Sequence, residues 1–166
     1  MSKTEQNLMD AFAGESQANR KYLAFAKKAE EEGFVQAARL FRAAAAAETI
    51  HAHNHLKELH VVKSTRENLM EAINGESYEF QKMYPAMIAD AKTEGQDFAL
   101  RTFTLANEVE KIHAALYKKA LDTLDVSKGT AVDYFVCSVC GYTAEGAAPD
   151  ECPVCKAKKR AFYKAE

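Results

Sequence analysis

Two stretches decide the fold of this chain: FRAAAAAETIHAHNHL at residues 41–56 and FTLANEVEKIHAALYK at residues 103–118. Each sets a Glu-x-x-His pair, Glu48 with His51 and Glu110 with His113, into a run of alanine and other strong helix formers. Phe41, Ala44, Glu48 and His51 recur as Phe103, Ala106, Glu110 and His113, 62 positions later. Upstream, KYLAFAKKAEEEGF from Lys21 is similar to MYPAMIADAKTEGQ from Met83, and Tyr22 and Gly33 match Tyr84 and Gly95 at the same spacing. The internal repeat predicts a duplicated helical hairpin, hence an all-α four-helix bundle with pseudo-twofold symmetry.

Local signals set the helix ends. Ser2 with Glu5 and Ser64 with Glu67 have capping-box spacing, and Gly33 and Gly95 fit C-terminal stops. The helices are expected at 4–31, 35–60, 65–93 and 97–124. One register does not close. Gly-Glu-Ser at Gly14 recurs at Gly75, an offset of 61, so one half differs from the other by a single residue between Ser16 and Tyr22. A one-residue helical bulge beside a functional site would absorb the difference. Pro85 should bend the third helix. Residues 1–125 form the expected bundle domain, 126–133 a linker, and 134–166 a small metal-bound module with short β-strands.

Composition narrows the classes of function. The chain has 166 residues, 48% of them hydrophobic and 28% charged, with a net charge of −2. Near-neutrality offers no nucleic-acid footprint. No apolar run approaches the roughly 18 residues of a membrane span. MSKTEQNLMDAF at the start lacks the apolar core of a secretory signal, so a cytoplasmic protein is expected.

Residues three and four apart share a helix face. The first helix presents Leu8, Ala11, Glu15, Ala18 and Tyr22 on one stripe; the second, Phe41, Ala44, Glu48 and His51. The third presents Leu69, Ala72, Glu76, Glu79 and Met83; the fourth, Phe103, Ala106, Glu110, His113 and Tyr117. Acidic or imidazole groups interrupt every stripe, which puts five carboxylates at one level of a core. Isolated buried carboxylates are heavily penalised and take up protons instead, whereas two divalent cations neutralise them. A lone Glu-x-x-His is usually a solvated surface pair. Two in matched repeats, with Glu15 and Glu76 on the partner helices, have the pattern of a carboxylate-bridged di-metal site. Mixed carboxylate and imidazole ligands suit iron or manganese. Five carboxylates with two ferrous ions sum to −1, and an oxide bridge returns two ferric ions to the same value, so the oxidation state can cycle near neutrality. Tyr22 and Tyr84 are candidates to support the ligands from one turn away; the plainer alternative is a core aromatic with a satisfied hydroxyl. His53, His55 and His60 are weaker candidates: His53 lies on the wrong face, and His55, one turn beyond His51 where it could support the ligands, is matched by Tyr117 in the repeat and reads as an ordinary polar contact.

All four cysteines, Cys137, Cys140, Cys152 and Cys155, fall in the last thirty residues as two Cys-x-x-Cys pairs separated by eleven residues. In a reducing compartment that spacing makes a tetrahedral site for zinc or iron rather than disulfides. Cys140-Gly141-Tyr142 and Cys-Pro-Val-Cys favour the rubredoxin type over a structural zinc ribbon. The tail is too small for a core of its own and needs its metal to fold. Lys156 follows Cys155 where a knuckle often has glycine, and that position calls for positive φ.

FAGESQANRKY at Phe12, both Glu-x-x-His pairs, GESYEFQKMYP at Gly75 and the cysteine pattern together resemble rubrerythrin across essentially the whole chain. The resemblance implies a ferritin-like bundle and a non-haem di-iron peroxidase that reduces hydrogen peroxide to water in oxidative-stress defence. By position, Glu15, Glu48, His51, Glu76, Glu79, Glu110 and His113 match the family's iron ligands, and Glu79 and His51 are implied to alternate on one iron as its redox state changes. Electrons would enter through an iron held by Cys137, Cys140, Cys152 and Cys155. A rubredoxin or an NAD(P)H-dependent rubredoxin reductase would supply them, making the activity an NADH-linked peroxidase. A homodimer is implied, with the one-iron centre of one subunit near the di-iron site of the other; the sequence leaves open whether hairpins exchange between subunits. The competing reading is a ferroxidase or iron-storage protein with the cysteine module as a docking or regulatory element. A third is a structural protein holding zinc at both sites.

Overall fold

A computed structural model describes residues 2–165. Helix α1 spans Lys3–Glu31 and α2 spans Val35–Glu58. Helix α3 covers Thr65–Tyr78, a π-helical segment covers Glu79–Met83, α4 covers Tyr84–Thr93 and α5 covers Asp97–Asp122. Strands β1 (Tyr134–Cys137), β2 (Thr143–Glu145) and β3 (Phe162–Lys164) follow, with a 3₁₀ turn at Lys159–Ala161 before the last. The expected class holds: long helices first, then a small strand-bearing module. Among the described residues no helix is long and apolar enough to cross a membrane.

The helix ends follow the local chemistry read from the sequence. Ser2 and Ser64 both close full capping boxes with Glu5 and Glu67, satisfying two otherwise orphaned donors at each start. Gly33 (φ 83°) and Gly95 (φ 65°) stop α1 and α4 in the left-handed region. The third helix departs from expectation. It is not one helix bent at Pro85 but α3 and α4 joined through the π segment. Pro85 sits in the first turn of α4, where its missing N–H costs nothing. The N–H of Tyr84 donates to the carbonyl of Glu79, five residues back. This wide turn holds the extra residue that separates the 61 and 62 offsets, and it lies in the second half of the repeat.

The chain forms two compact units, Met1–Lys63 and Ser64–Glu166. In the first, α1 and α2 pack through alanines: Ala26 and Ala29 on one helix, Ala38, Ala45 and Ala52 at seven-residue spacing on the other, all buried. Small side chains let the two backbones approach closely. Asn19 exploits that approach, donating to the carbonyl of Ala45 (2.7 Å) and to the hydroxyl of Thr49 (2.8 Å). The two bonds fix α1 against α2 one turn from Glu15 and beside Glu48. Tyr22 and Phe25 close the same end around Phe41, with ring centroids 6.2 and 5.6 Å from it.

In the second unit, α3 and α4 pack on α5, and Tyr84 meets Phe103 at 6.3 Å, the repeat image of Tyr22 on Phe41. Arg66 grips Asp125 with two bonds of 2.9 Å, joining the start of α3 to the chain just beyond α5. Residues 126–133 descend through turns, including Thr130 N–H to the Ser127 carbonyl. The strands form one antiparallel sheet in the order β2-β1-β3, with Val136 opposite Thr143 and Cys137 opposite Phe162. The buried apolar residues of this module are Cys137, Ala144 and Cys152, a core too small to stand without a further tie.

Candidate metal centres

Each helical unit gathers one acidic-imidazole triad. In the first, His51 Nδ1 lies 3.0 Å from Glu48 Oε2 and 3.7 Å from Glu15 Oε1. In the second, His113 Nδ1 lies 2.8 Å from Glu110 Oε2 and 3.7 Å from Glu76 Oε2. The near-identity of the two sets is the pseudo-twofold repeat expressed as geometry. Bonds of about 2.1 Å from one cation place neighbouring ligand atoms roughly 3.0–3.4 Å apart. The observed separations bracket that range, so each triad fits a divalent cation.

The carboxylates face inward only in part. Glu48 and Glu110 are 18% and 15% exposed, while His51 is 52% exposed. Among the described residues no charged side chain is fully buried. The expected burial of five carboxylates is therefore partial here, because two packed helices shield a polar group from one side only.

Crowding shows in the proton affinities. The hydrogen bond shared with Glu48 raises the Glu15 carboxyl above the ordinary carboxylate range, aided by burial, while the same bond and His51 hold Glu48 below it. Burial, then the bond to Glu110, raises Glu76. Burial, then the charge of Glu76, raises Glu79. Glu79 lies outside the tight triad, at the first residue of the π segment. Tyr84 feels burial and the charges of Glu110, Glu79 and Glu76, all of which favour its protonated phenol. Tyr22 sits instead in the aromatic group with Phe25 and Phe41. His55 is near enough to Glu15 to oppose the rise of its carboxyl, and His53 is exposed.

The four sulfurs converge. Cys137 Sγ is 3.6 Å from Cys155 Sγ, and Cys140 Sγ is 3.6 Å from Cys152 Sγ. A tetrahedron with metal–sulfur bonds of about 2.3 Å has edges near 3.8 Å, so one ion fits. Two matching knuckles build it. Gly141 N–H donates to the Cys137 carbonyl at 2.8 Å, and Lys156 N–H to the Cys152 carbonyl at 3.0 Å. Gly141 (φ 84°) and Lys156 (φ 64°) both take the left-handed conformation, so the lysine occupies a glycine-type position. Burial pushes the Cys140 and Cys155 thiols up. At Cys137 burial is outweighed by the N–H groups of Val139 and Cys140, which hold that thiol below its usual value. Backbone N–H groups aimed at sulfur are the means by which rubredoxin-type sites tune their potential.

A model of the family described as rubrerythrin matches residues 6–121, and one described as the rubrerythrin rubredoxin-like domain matches residues 135–163. The chain belongs to the rubrerythrin family. It is 37% identical to rubrerythrin-2 of Clostridium acetobutylicum, covering 96% of this chain and 95% of that protein. It is also 37% identical to nigerythrin of Nitratidesulfovibrio vulgaris (98% and 86% covered) and 33% identical to the rubrerythrin of the same organism (97% and 93%). Solved structures of nigerythrin in a partially reduced and a fully reduced, all-ferrous state share the fold, with TM-scores of 0.60 and 0.58 over 99% of this chain and 88% of theirs. The cofactors are those of a rubrerythrin: a di-iron site, for which the glutamate and histidine groups gather, and an iron in the four-cysteine cluster. The chain is accordingly an oxidoreductase. Sequence reasoning missed one residue of the site, Thr143, whose hydroxyl lies 3.0 Å from His113 Nε2. No periodicity or motif signals it, because it reaches α5 from the cysteine module.

Proposed function

We propose that this rubrerythrin is a peroxidase that reduces hydrogen peroxide to two waters, consuming two electrons and two protons. The observation that carries the reading is the pairing, in one chain, of two matching Glu-Glu-His triads with a four-thiolate cluster. Glu15, Glu48, His51, Glu76, Glu79, Glu110 and His113 are assigned as ligands of the two irons, and Cys137, Cys140, Cys152 and Cys155 as ligands of the third. Iron at these positions supplies the redox capacity. The protein's part is to hold proton and charge. Glu15, Glu76 and Glu79 bind protons more tightly than ordinary carboxylates. The Tyr84 phenol keeps an O–H donor beside them. Glu79 and His51 are the groups assigned to exchange on one iron.

The proposed organisation is a bundle domain over 1–125, a linker over 126–133 and an electron-entry module over 134–166, in a cytoplasmic homodimer. A rubredoxin or an NAD(P)H-dependent rubredoxin reductase is the proposed donor. Anaerobic reduction followed by stoichiometric peroxide, with both iron chromophores followed, tests the reading. Rapid reoxidation of both centres with little mineral formed supports it; slow reoxidation with growth of a ferric mineral favours the ferroxidase alternative. Glu79→Ala should cut peroxide turnover by about tenfold or more, in line with the cost of disturbing a metal's surroundings. Unchanged turnover would remove Glu79 from the ligand set.

A further inference from the structure

The cysteine module is fastened to α5 along one face of that helix. Val109, 2% exposed, lies beneath the knuckle glycine: a Cβ on Gly141 would sit 3.8 Å from Val109 Cγ1. Ten residues on, Lys119 pairs with Glu145 of β2. Between them His113 Nε2 lies 3.0 Å from Thr143 Oγ1. Thr143 itself is pinned, because its backbone pairs with Val136 in the sheet.

The hydroxyl has one hydrogen, and Thr143 donates it to the carbonyl of Gly141 at 3.2 Å. Its oxygen can then only accept from His113, which requires the hydrogen of the neutral imidazole to be on Nε2. The lone pair is left on Nδ1, the nitrogen that lies 2.8 Å from Glu110 Oε2 and 3.7 Å from Glu76 Oε2. We propose that Thr143 is a positioning residue for the carboxylate–histidine metal centre. It holds His113 as the Nε2–H tautomer with Nδ1 turned to the ligand set, and it couples that ring to the Cys140-Gly141 knuckle. The inference rests on His113 being a ligand, as assigned above.

The two histidines of the repeat thereby differ. Thr143 belongs to a module that follows only the second hairpin, so among the described residues His51 has no counterpart to it, and His51 is 52% exposed against 26% for His113. An apolar cavity of about 380 Å³, lined by Leu69, Leu116, Tyr117 and Tyr134 among others, borders the His113–Thr143 pair. A variant lacking the hydroxyl leaves Nε2–H to mobile water in that space, which orients a ring far less firmly than a fixed oxygen.

The test uses the full-length chain loaded with cobalt(II), comparing wild type, Thr143→Val and Thr143→Ser. Cobalt affinity by chelator competition is read together with the exchangeable, hyperfine-shifted imidazole N–H resonances. In wild type one histidine N–H should exchange slowly with deuterium. Thr143→Val should make that resonance exchange rapidly and weaken cobalt binding at the carboxylate–histidine site by about tenfold or more. Thr143→Ser should restore both, and the cobalt–thiolate bands should be the same in all three. A Thr143→Val protein with wild-type affinity and wild-type N–H exchange would overturn the inference alone. A wild type that takes up cobalt only at the thiolates would overturn the ligand assignment beneath it.

Discussion

The backbone N–H of Tyr84 donates to the carbonyl of Glu79, five residues earlier, so the chain makes one π turn that begins at the Glu79 carboxylate. An extra residue in a helix rotates everything beyond it by roughly 100°. That rotation lets Glu76 and Glu79 serve the triad side while Tyr84 still meets Phe103, as Tyr22 meets Phe41 in the other hairpin.

Deleting Gln81 should convert the π segment to ordinary α-helix. Helix content by circular dichroism should stay nearly unchanged. Cobalt or iron uptake at the carboxylate–histidine site should fall by about tenfold or more, while thiolate absorption persists. Full metal uptake in this deletion variant would show that the bulge does not orient the ligands.

Acid should affect the metal-free and metal-loaded protein in opposite directions. Glu76 and Glu79 are raised by burial and neighbouring carboxylates, and Glu15 by its bond to Glu48 and burial. A raised folded value means the native state binds the proton more tightly. The stability these groups contribute is therefore complete below their unfolded value near 4.5 and is lost as pH rises through the folded values. Glu48 is lowered, so its contribution is lost as pH falls through its folded value, and it offsets part of Glu15. The metal-free chain should gain melting temperature as pH falls from neutrality toward about 4.5, and the stabilisation added by metal should shrink over the same interval, because ligands must be deprotonated. Melting curves with and without cobalt across that range decide it; a metal-free melting temperature that falls steadily with acid would refute it.

Cys152 is completely buried, and its sulfur lies 3.6 Å from that of Cys140. Cys152→Ser should weaken the four-cysteine metal by more than the 10–100-fold typical of losing an outer partner. With Cys137 and Ala144 as the rest of its buried core, the module should lose its strand signals while the helices remain. Proton-detected spectra of β1 and β3 amides, with and without added metal, check this.

Lys156 holds φ at 64° to send its N–H to the Cys152 carbonyl. Left-handed backbone costs a side-chain-bearing residue about 1–2 kcal/mol, whereas glycine pays only through its freer unfolded chain. Lys156→Gly should leave the module's stability within about 1 kcal/mol of wild type, and Lys156→Val should lower it by roughly 1–2 kcal/mol, since a β-branched residue resists positive φ. Thermal unfolding of the metal-loaded protein, followed at the thiolate bands, measures both.

Much of this was legible in the chain. The capping boxes at Ser2 and Ser64 and the glycine stops at Gly33 and Gly95 are local devices, satisfied by residues three or four positions away, and all four formed as read. The arithmetic of the repeat, an offset rising from 61 to 62, required an extra helical residue between Gly75 and Tyr84 but not the form it would take. Pro85 sits in the first turn of α4, which makes a π turn just before it inexpensive.

By itself, then, the sequence determined the capped helix ends, the carboxylate and imidazole stripes along the helices, the four thiolates and the left-handed knuckle at Lys156, because each is governed by neighbours within a turn or two. Tertiary structure alone decided that the Thr143 hydroxyl, thirty residues from His113, meets that ring's Nε2, and that the triads stand only partly buried on their hairpins. Those outcomes depend on how separate elements meet, and contact between distant residues leaves no periodic trace in the order of the amino acids.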